Sequence, residues 1–224
     1  RGTCDMKGFV AAALAMAPAF KAAELSVPIH LALSYDEEIG CIGCEDMVRE
    51  MADGAIPPPR AVIIGEPTSM RLVSAHKGIN AYNTTVRGRE AHSSLTHRGA
   101  NAILAAGELI HYINRMQEEA AARAPADSRF EPPCTSFSVG VIQGGNALNI
   151  IPGECRFEWE FRALPGEDVP ALIGQFERYA RETVLPRLKA TAPEAEIVTE
   201  RACGVTPLAP EHGEAATAEA LVRR

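Results

Sequence analysis

The chain has 224 residues, 46% of them apolar, enough for one large domain or two small ones with a sizeable core. Its 22 basic and 29 acidic residues give a formal charge of −7, which argues against nucleic acid or an anionic membrane surface as the main partner, since both need a basic face. No apolar run approaches the ~20 residues of a membrane span, and the Ala-rich stretch 9–23, broken by Pro18, lacks the pattern of a secretory signal.

The six cysteines are too sparse for a disulfide framework, so a reducing cytoplasm is the expected compartment. Cys41 and Cys44 have C-x-x-C spacing but no second ligand pair nearby, and read as small residues following Gly40. The chain opens on Arg1-Gly2-Thr3 without an initiator Met and stops at Arg223-Arg224 inside an expected helix. It therefore reads as a piece of a longer protein.

In chain order, residues 5–24 predict an Ala- and Met-rich helix with a late interruption at Pro18. Residues 26–35 (SVPIHLALSY) predict a strand whose near-continuous apolar run suits a sheet covered on both faces. Residues 42–51 predict a short amphipathic helix, residues 57–59 a proline linker, and residues 61–65 (AVIIG) a second buried strand. Helix, strand, helix, strand is the rhythm of an α/β sheet.

The rhythm then changes. Residues 81–88 predict a strand and residues 100–122 a long helix. Residues 135–143 and 155–162 alternate like half-exposed strands about the Gly144-Gly145-Asn146 turn. An amphipathic helix over 169–188 and a strand over 196–206 complete β-α-β-β-α-β, the ferredoxin-like order. The expected organisation is an α/β catalytic domain over residues 1–76, an inserted ferredoxin-like domain over 77–208, and a return to the first domain over 209–224, with a hinge near Lys77 and Leu208.

Ligands of open α/β sheets bind outside the carboxyl ends of the strands. Asp36-Glu37-Glu38 follows the first expected strand directly, and Glu66 follows the second, just after Gly65. Asp5 precedes a helix whose positive end favours a carboxylate. Carboxylates gathered in one cleft repel unless a cation holds them or one keeps a proton. Two roles follow: ligands to a metal, and one unbound carboxylate as general base. By itself the acidic run also describes solvated helix-start charges, and oxygen ligands alone suit magnesium or calcium as well as zinc.

Six segments in order carry a resemblance. They are residues 2–8 (GTCDMKG), 34–40 (SYDEEIG), 64–68 (IGEPT), 76–78 (HKG), 88–94 (GREAHSS) and 161–166 (FRALPG). Together they resemble the acetylornithine deacetylase family, part of the dinuclear zinc hydrolases that also include succinyl-diaminopimelate desuccinylases, aminoacylases and glutamate carboxypeptidases. The resemblance implies a zinc-hydrolase α/β catalytic domain, incomplete here, with an inserted ferredoxin-like lid used for homodimerisation. It implies two zinc ions, with cobalt an alternative, and removal of the acetyl group from N-acetyl-L-ornithine by metal-bound water, a step of arginine biosynthesis.

By the same resemblance Asp5 would bridge the metals, Glu38 would bind one and Glu66 the other. Glu37 would be the general base and acid, with Asp36 in support. His92 would reach a partner subunit's site and stabilise the tetrahedral intermediate. Asn149 and Arg162 would contact the substrate carboxylate. Read without the resemblance, His92 is a loop histidine beside two serines, Arg162 could pair with Glu160 or Glu167, and Asn149 is a turn residue. Trp159 reads as packing.

The chain departs from the family in lacking an upstream His-x-Asp motif and a late histidine ligand. None of His30, His76, His97, His111 or His212 is assigned to a metal. Alternative expectations are another deacylase or peptidase of the same family, or a non-catalytic dimerising module.

Overall fold

The computed structural model describes residues 2–210. The chain divides into two compact units, Arg1–Ser74 with Pro210–Arg224, and Ala75–Ala209. The helix expected over 211–224 lies outside the described residues.

Among its described residues the first unit holds two α-helices. Helix α1 (Lys7–Ala22) carries Pro18 inside it and closes with the Ala23 N–H on Ala19 O at 3.1 Å. It starts two residues later than expected, so Asp5 stands ahead of it in a loop tightened by Lys7 N–H to Gly2 O (3.0 Å) and Gly8 N–H to Thr3 O (2.7 Å). Helix α2 (Glu45–Ala52) has Glu45 and Asp46 in its first turn, where carboxylates suit the helix dipole.

The strands expected over 26–35 and 61–65 do not form among the described residues. A strand exists through its ladder, and no described residue pairs with either segment. The pattern of side chains is nevertheless that of a buried strand left without cover: Leu33 is 66% exposed, Tyr35 69% and Ile64 73%.

The second unit follows the predicted order closely. Strand β1 (Gly78–Arg87) leads through a two-residue strand β2 (Ala91–His92) to helix α3 (Ala102–Ala122). Strand β3 (Ser136–Gly144), a short β4 (Ile150–Ile151) and β5 (Glu154–Ala163) follow. The helical stretch expected as one piece over 169–188 is divided into α4 (Val169–Tyr179), a π-helical turn (Ala180–Val184) and α5 (Leu185–Lys189). Pro186 explains the division, because it has no N–H to continue the i to i−4 ladder. Strand β6 (Glu196–Val205) completes a four-stranded sheet of order β3-β5-β1-β6, every pair antiparallel. That order is the ferredoxin-like arrangement expected from β-α-β-β-α-β.

Alternation places one face of this sheet in the core. Asn80, Tyr82, Thr84 and Val86 of β1 face the helices with Phe157, Trp159 and Phe161 of β5. Helix α3 contributes Leu109, Ile113 and Met116, and α4 contributes Leu172 and Phe176. Trp159 stacks on Tyr82 at 5.1 Å between ring centroids, and its indole N–H donates to Thr84 Oγ1 at 3.0 Å, so its one polar atom is satisfied in the interior. Asn101 caps α3 by accepting from Leu104 N–H, and Asp168 caps α4 by accepting from Ala171 N–H.

The ends of this unit lie side by side. His76 and Leu208 exchange two backbone hydrogen bonds, at 3.1 and 3.0 Å. Next to them Lys77 Nζ donates to the carbonyls of Pro132 and Cys134, both at 2.6 Å. No described helix is long and apolar enough to cross a membrane.

Candidate active site

Three carboxylates of the first unit, Asp5, Glu37 and Glu38, come within electrostatic reach of a fourth, Glu66. The carboxyl of Glu66 is held above its ordinary pKa by the protein packed around it, and further by the charges of Asp5, Glu37 and Glu38. These are the residues that the sequence suggested would share a cleft.

Local backbone geometry delivers them. Asp36 has φ of 54°, a left-handed conformation costly for a non-glycine residue, and the chain turns there into the single 3₁₀ turn Glu37–Ile39. Gly40, at φ 112°, ends that turn. The Cys41 thiol lies 3.8 Å from Glu37 Oε1. A side chain at Gly43 would collide with the Tyr35 carbonyl, placing its Cβ at 1.9 Å, so the turn can fold back on the approach to Asp36 only with glycine there. Gly65 has a matching role: a Cβ would lie 2.1 Å from the Phe9 ring, and its absence lets helix α1 sit against the segment that bears Glu66. The glycine before Glu66 is legible in the sequence, whereas its partner Phe9 is not.

The donor chemistry of this cluster fits a cation, since it is all oxygen and its charges repel. The geometry is not that of a closed metal site. Among the described residues no three His, Cys, Asp or Glu side chains converge as ligands to one ion. In the same unit, His30 is exposed and stands on the unpaired segment 26–35.

The second unit holds the other three candidates. His92 ends β2, which pairs with β4 through Ala91–Ile151 and His92–Ile150. The Ser94 N–H and the Ser94 hydroxyl both reach His92 Nδ1, at 3.2 and 2.8 Å. A backbone N–H can only donate, so Nδ1 is the acceptor, and in the neutral ring the proton sits on Nε2. His92 is exposed. Glycines shape this loop as well. At Gly88 a Cβ would come within 2.0 Å of Ala100 O, on a segment where Arg89 and Ala100 exchange backbone hydrogen bonds.

Asn149 is beside His92, since its carbonyl accepts from Ser93 N–H at 2.9 Å. Arg162 is elsewhere. It sits near the far end of β5, opposite Ile79 and Ser136, with its guanidinium gripped by both oxygens of Glu160 at 3.0 Å. Eight residues of strand, about 27 Å, separate Arg162 from the Glu154 end of β5, where the chain arrives from Asn149. Within one chain Asn149 and Arg162 therefore stand towards opposite ends of β5.

Residues 74–187 match the family described as peptidase dimerisation domain, and the chain belongs to that family. Over 185 residues, 83% of this chain, it is 39% identical to an acetylornithine deacetylase of Myxococcus xanthus, covering 47% of that protein. It is 34% identical over 173 residues, 77% of this chain, to an acetylornithine deacetylase of Salmonella arizonae, covering 44% of it. The chain thus spans about half the length of the curated relatives it matches. A solved amidase of the hydantoinase/carbamoylase family from Burkholderia vietnamiensis aligns with a TM-score of 0.48 and 25% identity, covering 67% of this chain and 33% of that one.

Proposed function

We propose that this chain is part of a metal-dependent amidohydrolase that removes the acetyl group from N-acetyl-L-ornithine, acting in the cytoplasm as a homodimer. The observation that carries the reading is the gathering of Asp5, Glu37 and Glu38 around Glu66, whose carboxyl they help to hold above its ordinary pKa. The names of the two relatives support the choice of substrate.

In this reading Asp5, Glu38 and Glu66 hold zinc or cobalt. Such an ion, when bound, polarises the acyl carbonyl and makes water a nucleophile near neutral pH. Glu37 takes the proton of the attacking water and returns it to the leaving amine. His92 donates from Nε2 to the oxygen that gains charge, a role that its tautomer suits. Arg162 binds the substrate carboxylate through its guanidinium fork, and Glu160 orients that fork. The length of β5 supports the homodimer. One small substrate cannot touch His92 and Arg162 of the same chain, whereas a second copy supplies the missing end.

The test is Glu37→Gln in the full-length protein, with amine release followed over a panel of acyl amino acids. A loss of about 10²-fold or more in turnover with metal content unchanged is expected. Turnover at the wild-type level would overturn the role of Glu37, and preference for a succinyl or peptide substrate would overturn the substrate.

A further inference from the structure

Two cysteines beside the acidic turn stand apart from those of the core. Cys134 and Cys155 are 3% and 0% exposed in the second unit, and burial pushes the Cys155 thiol up, as suits inert packing residues. Cys41 and Cys44 are only half-buried, the exposure at which reactive cysteines are found, and neither is in a disulfide. The proposed reaction uses neither thiol.

The local backbone brings the pair together. Ile42–Cys44 is a single 3₁₀ turn with Cys41 as its N-terminal cap. The Cys44 N–H donates to Cys41 O at 3.4 Å and closes a four-residue turn. Such turns hold their outer Cα atoms within about 7 Å, close to the span of about 4.4–6.8 Å that a disulfide bridges. Side chains three apart also eclipse one another in 3₁₀ geometry. The Cys44 thiol already leans back over the turn, donating to the same Cys41 carbonyl at 3.0 Å. The Cys41 thiol donates instead to Glu37 Oε1 at 3.8 Å. One sulfur of the pair therefore touches the carboxylate to which the proposed reaction gives the proton transfers. Gly43, between the two cysteines, packs against the Tyr35 carbonyl, so the turn and the approach to Asp36 share a contact.

We infer that Cys41 and Cys44 form a reversible disulfide that draws the Cys41 sulfur away from Glu37 and slows the hydrolase when the surrounding thiol pool is oxidised. The effect on turnover rests on the role proposed for Glu37, whereas formation of the bond does not. The oxidant is a low-molecular-weight disulfide. One cysteine, as its thiolate, attacks a sulfur of that molecule, forms a mixed disulfide and releases one small thiol. The second cysteine then attacks the protein sulfur of the mixed disulfide and releases the other. The two cysteines together lose two electrons and two protons, and the small disulfide gains both. The second attack closes only a four-residue loop, so little chain entropy opposes it. Exposed pairs are the labile kind, which a reducing thiol pool opens again.

The experiment equilibrates the full-length protein in glutathione buffers of rising glutathione disulfide content. Acid quenching, alkylation and peptide mass mapping report the bridges, and amine release from the preferred substrate of the panel is followed in parallel. A Cys41–Cys44 bridge that dithiothreitol removes is expected. Turnover should fall at least about threefold as the bridge forms, the worth of one lost hydrogen bond, and return when it opens. In Cys44→Ser turnover should be independent of the disulfide content. Absence of the bridge, a persistent mixed disulfide with glutathione, or pairing of either sulfur with any other cysteine would overturn the site. A bridge that leaves turnover unchanged, where Glu37→Gln has lost turnover, would overturn the switch alone. The same result with Glu37→Gln still active would overturn the switch together with the role of Glu37. Should Cys44→Ser fail to fold, mapping and turnover of the wild-type protein still decide the matter.

Discussion

The two units of this chain solve the problem of folding to very different degrees. Every buried residue among those described lies in Ala75–Ala209, where a sheet face and three helical stretches close over Phe157, Trp159, Phe161 and Phe176. Residues 2–74 bury none. Their apolar side chains are as strand-like in pattern as those of β5, yet Leu33 and Ile64 remain in solvent. Ordering a chain costs ~1–2 kcal/mol per residue, and only burial and paired backbone offset it. The second unit has the means to stand alone. The first holds its carboxylates on tight turns and glycine contacts and has little core beneath them.

The largest effect expected from this contrast is on protection. Limited proteolysis of the 224-residue chain should cut first in residues 23–36 and 53–74 and leave a resistant core close to 75–209. That core should unfold in one cooperative transition. Equal resistance in both units would refute the contrast. Matched substitutions sharpen it. Trp159→Ala removes a buried ring and one of the two hydrogen-bond partners of Thr84 Oγ1, and should cost about 3–5 kcal/mol in urea unfolding. Leu33→Ala, a change at an exposed side chain, should alter stability by less than about 0.5 kcal/mol.

The same contrast governs how much was legible in the sequence. In the second unit the period-two alternation of residues 155–162 reported a real face, because β1 and β3 lie on either side of β5 to make it a strand. In the first unit the apolar runs at 26–35 and 61–65 reported only a disposition. Pattern tells which residues would be buried, and a ladder needs a partner that pattern does not supply. Of the site, the approach of Asp5, Glu37 and Glu38 to Glu66 was anticipated, although its stated reason, neighbouring parallel strands, was not what formed. The separation of Asn149 from Arg162 was not anticipated, because motif order carries no distance along a strand. The break in the helix at 180–184 was legible after the fact in Pro186.

A smaller effect tests how the second unit closes its ends. Lys77 Nζ bonds two carbonyls on the 132–134 segment, and burial pushes its pKa down. Lys77→Met keeps much of the stem and leaves both carbonyls without that donor, a loss of about 1–3 kcal/mol. Hydrogen exchange should locate it. Amides near residues 131–135 and at the His76–Leu208 bridge should speed up, with those of β5 unchanged. A loss spread evenly over the sheet would show that Lys77 acts through the core instead.

The smallest effect lies on the surface of the same unit. The Arg89 guanidinium meets both oxygens of Glu194, with Nε to Oε1 at 2.6 Å and Nη2 to Oε2 at 2.5 Å, and a third N–H reaches Thr191 O at 2.9 Å. The hydrogen bonds from Arg89 hold the Glu194 carboxyl below its ordinary pKa. A carboxyl depressed in the folded state binds fewer protons there than in the unfolded chain. Its stabilisation is full above the ordinary carboxylate pKa and is lost as pH falls through the depressed value. Both groups are exposed and screened by solvent, so the gain is small. Glu194→Gln mimics the protonated form, and urea midpoints of wild type and variant should differ near neutral pH and converge as pH falls below the ordinary carboxylate range. A gap that stays constant with pH would mean that the amide costs shape, not charge, and that the fork between the β1–β2 segment and the α5–β6 loop contributes through its geometry alone.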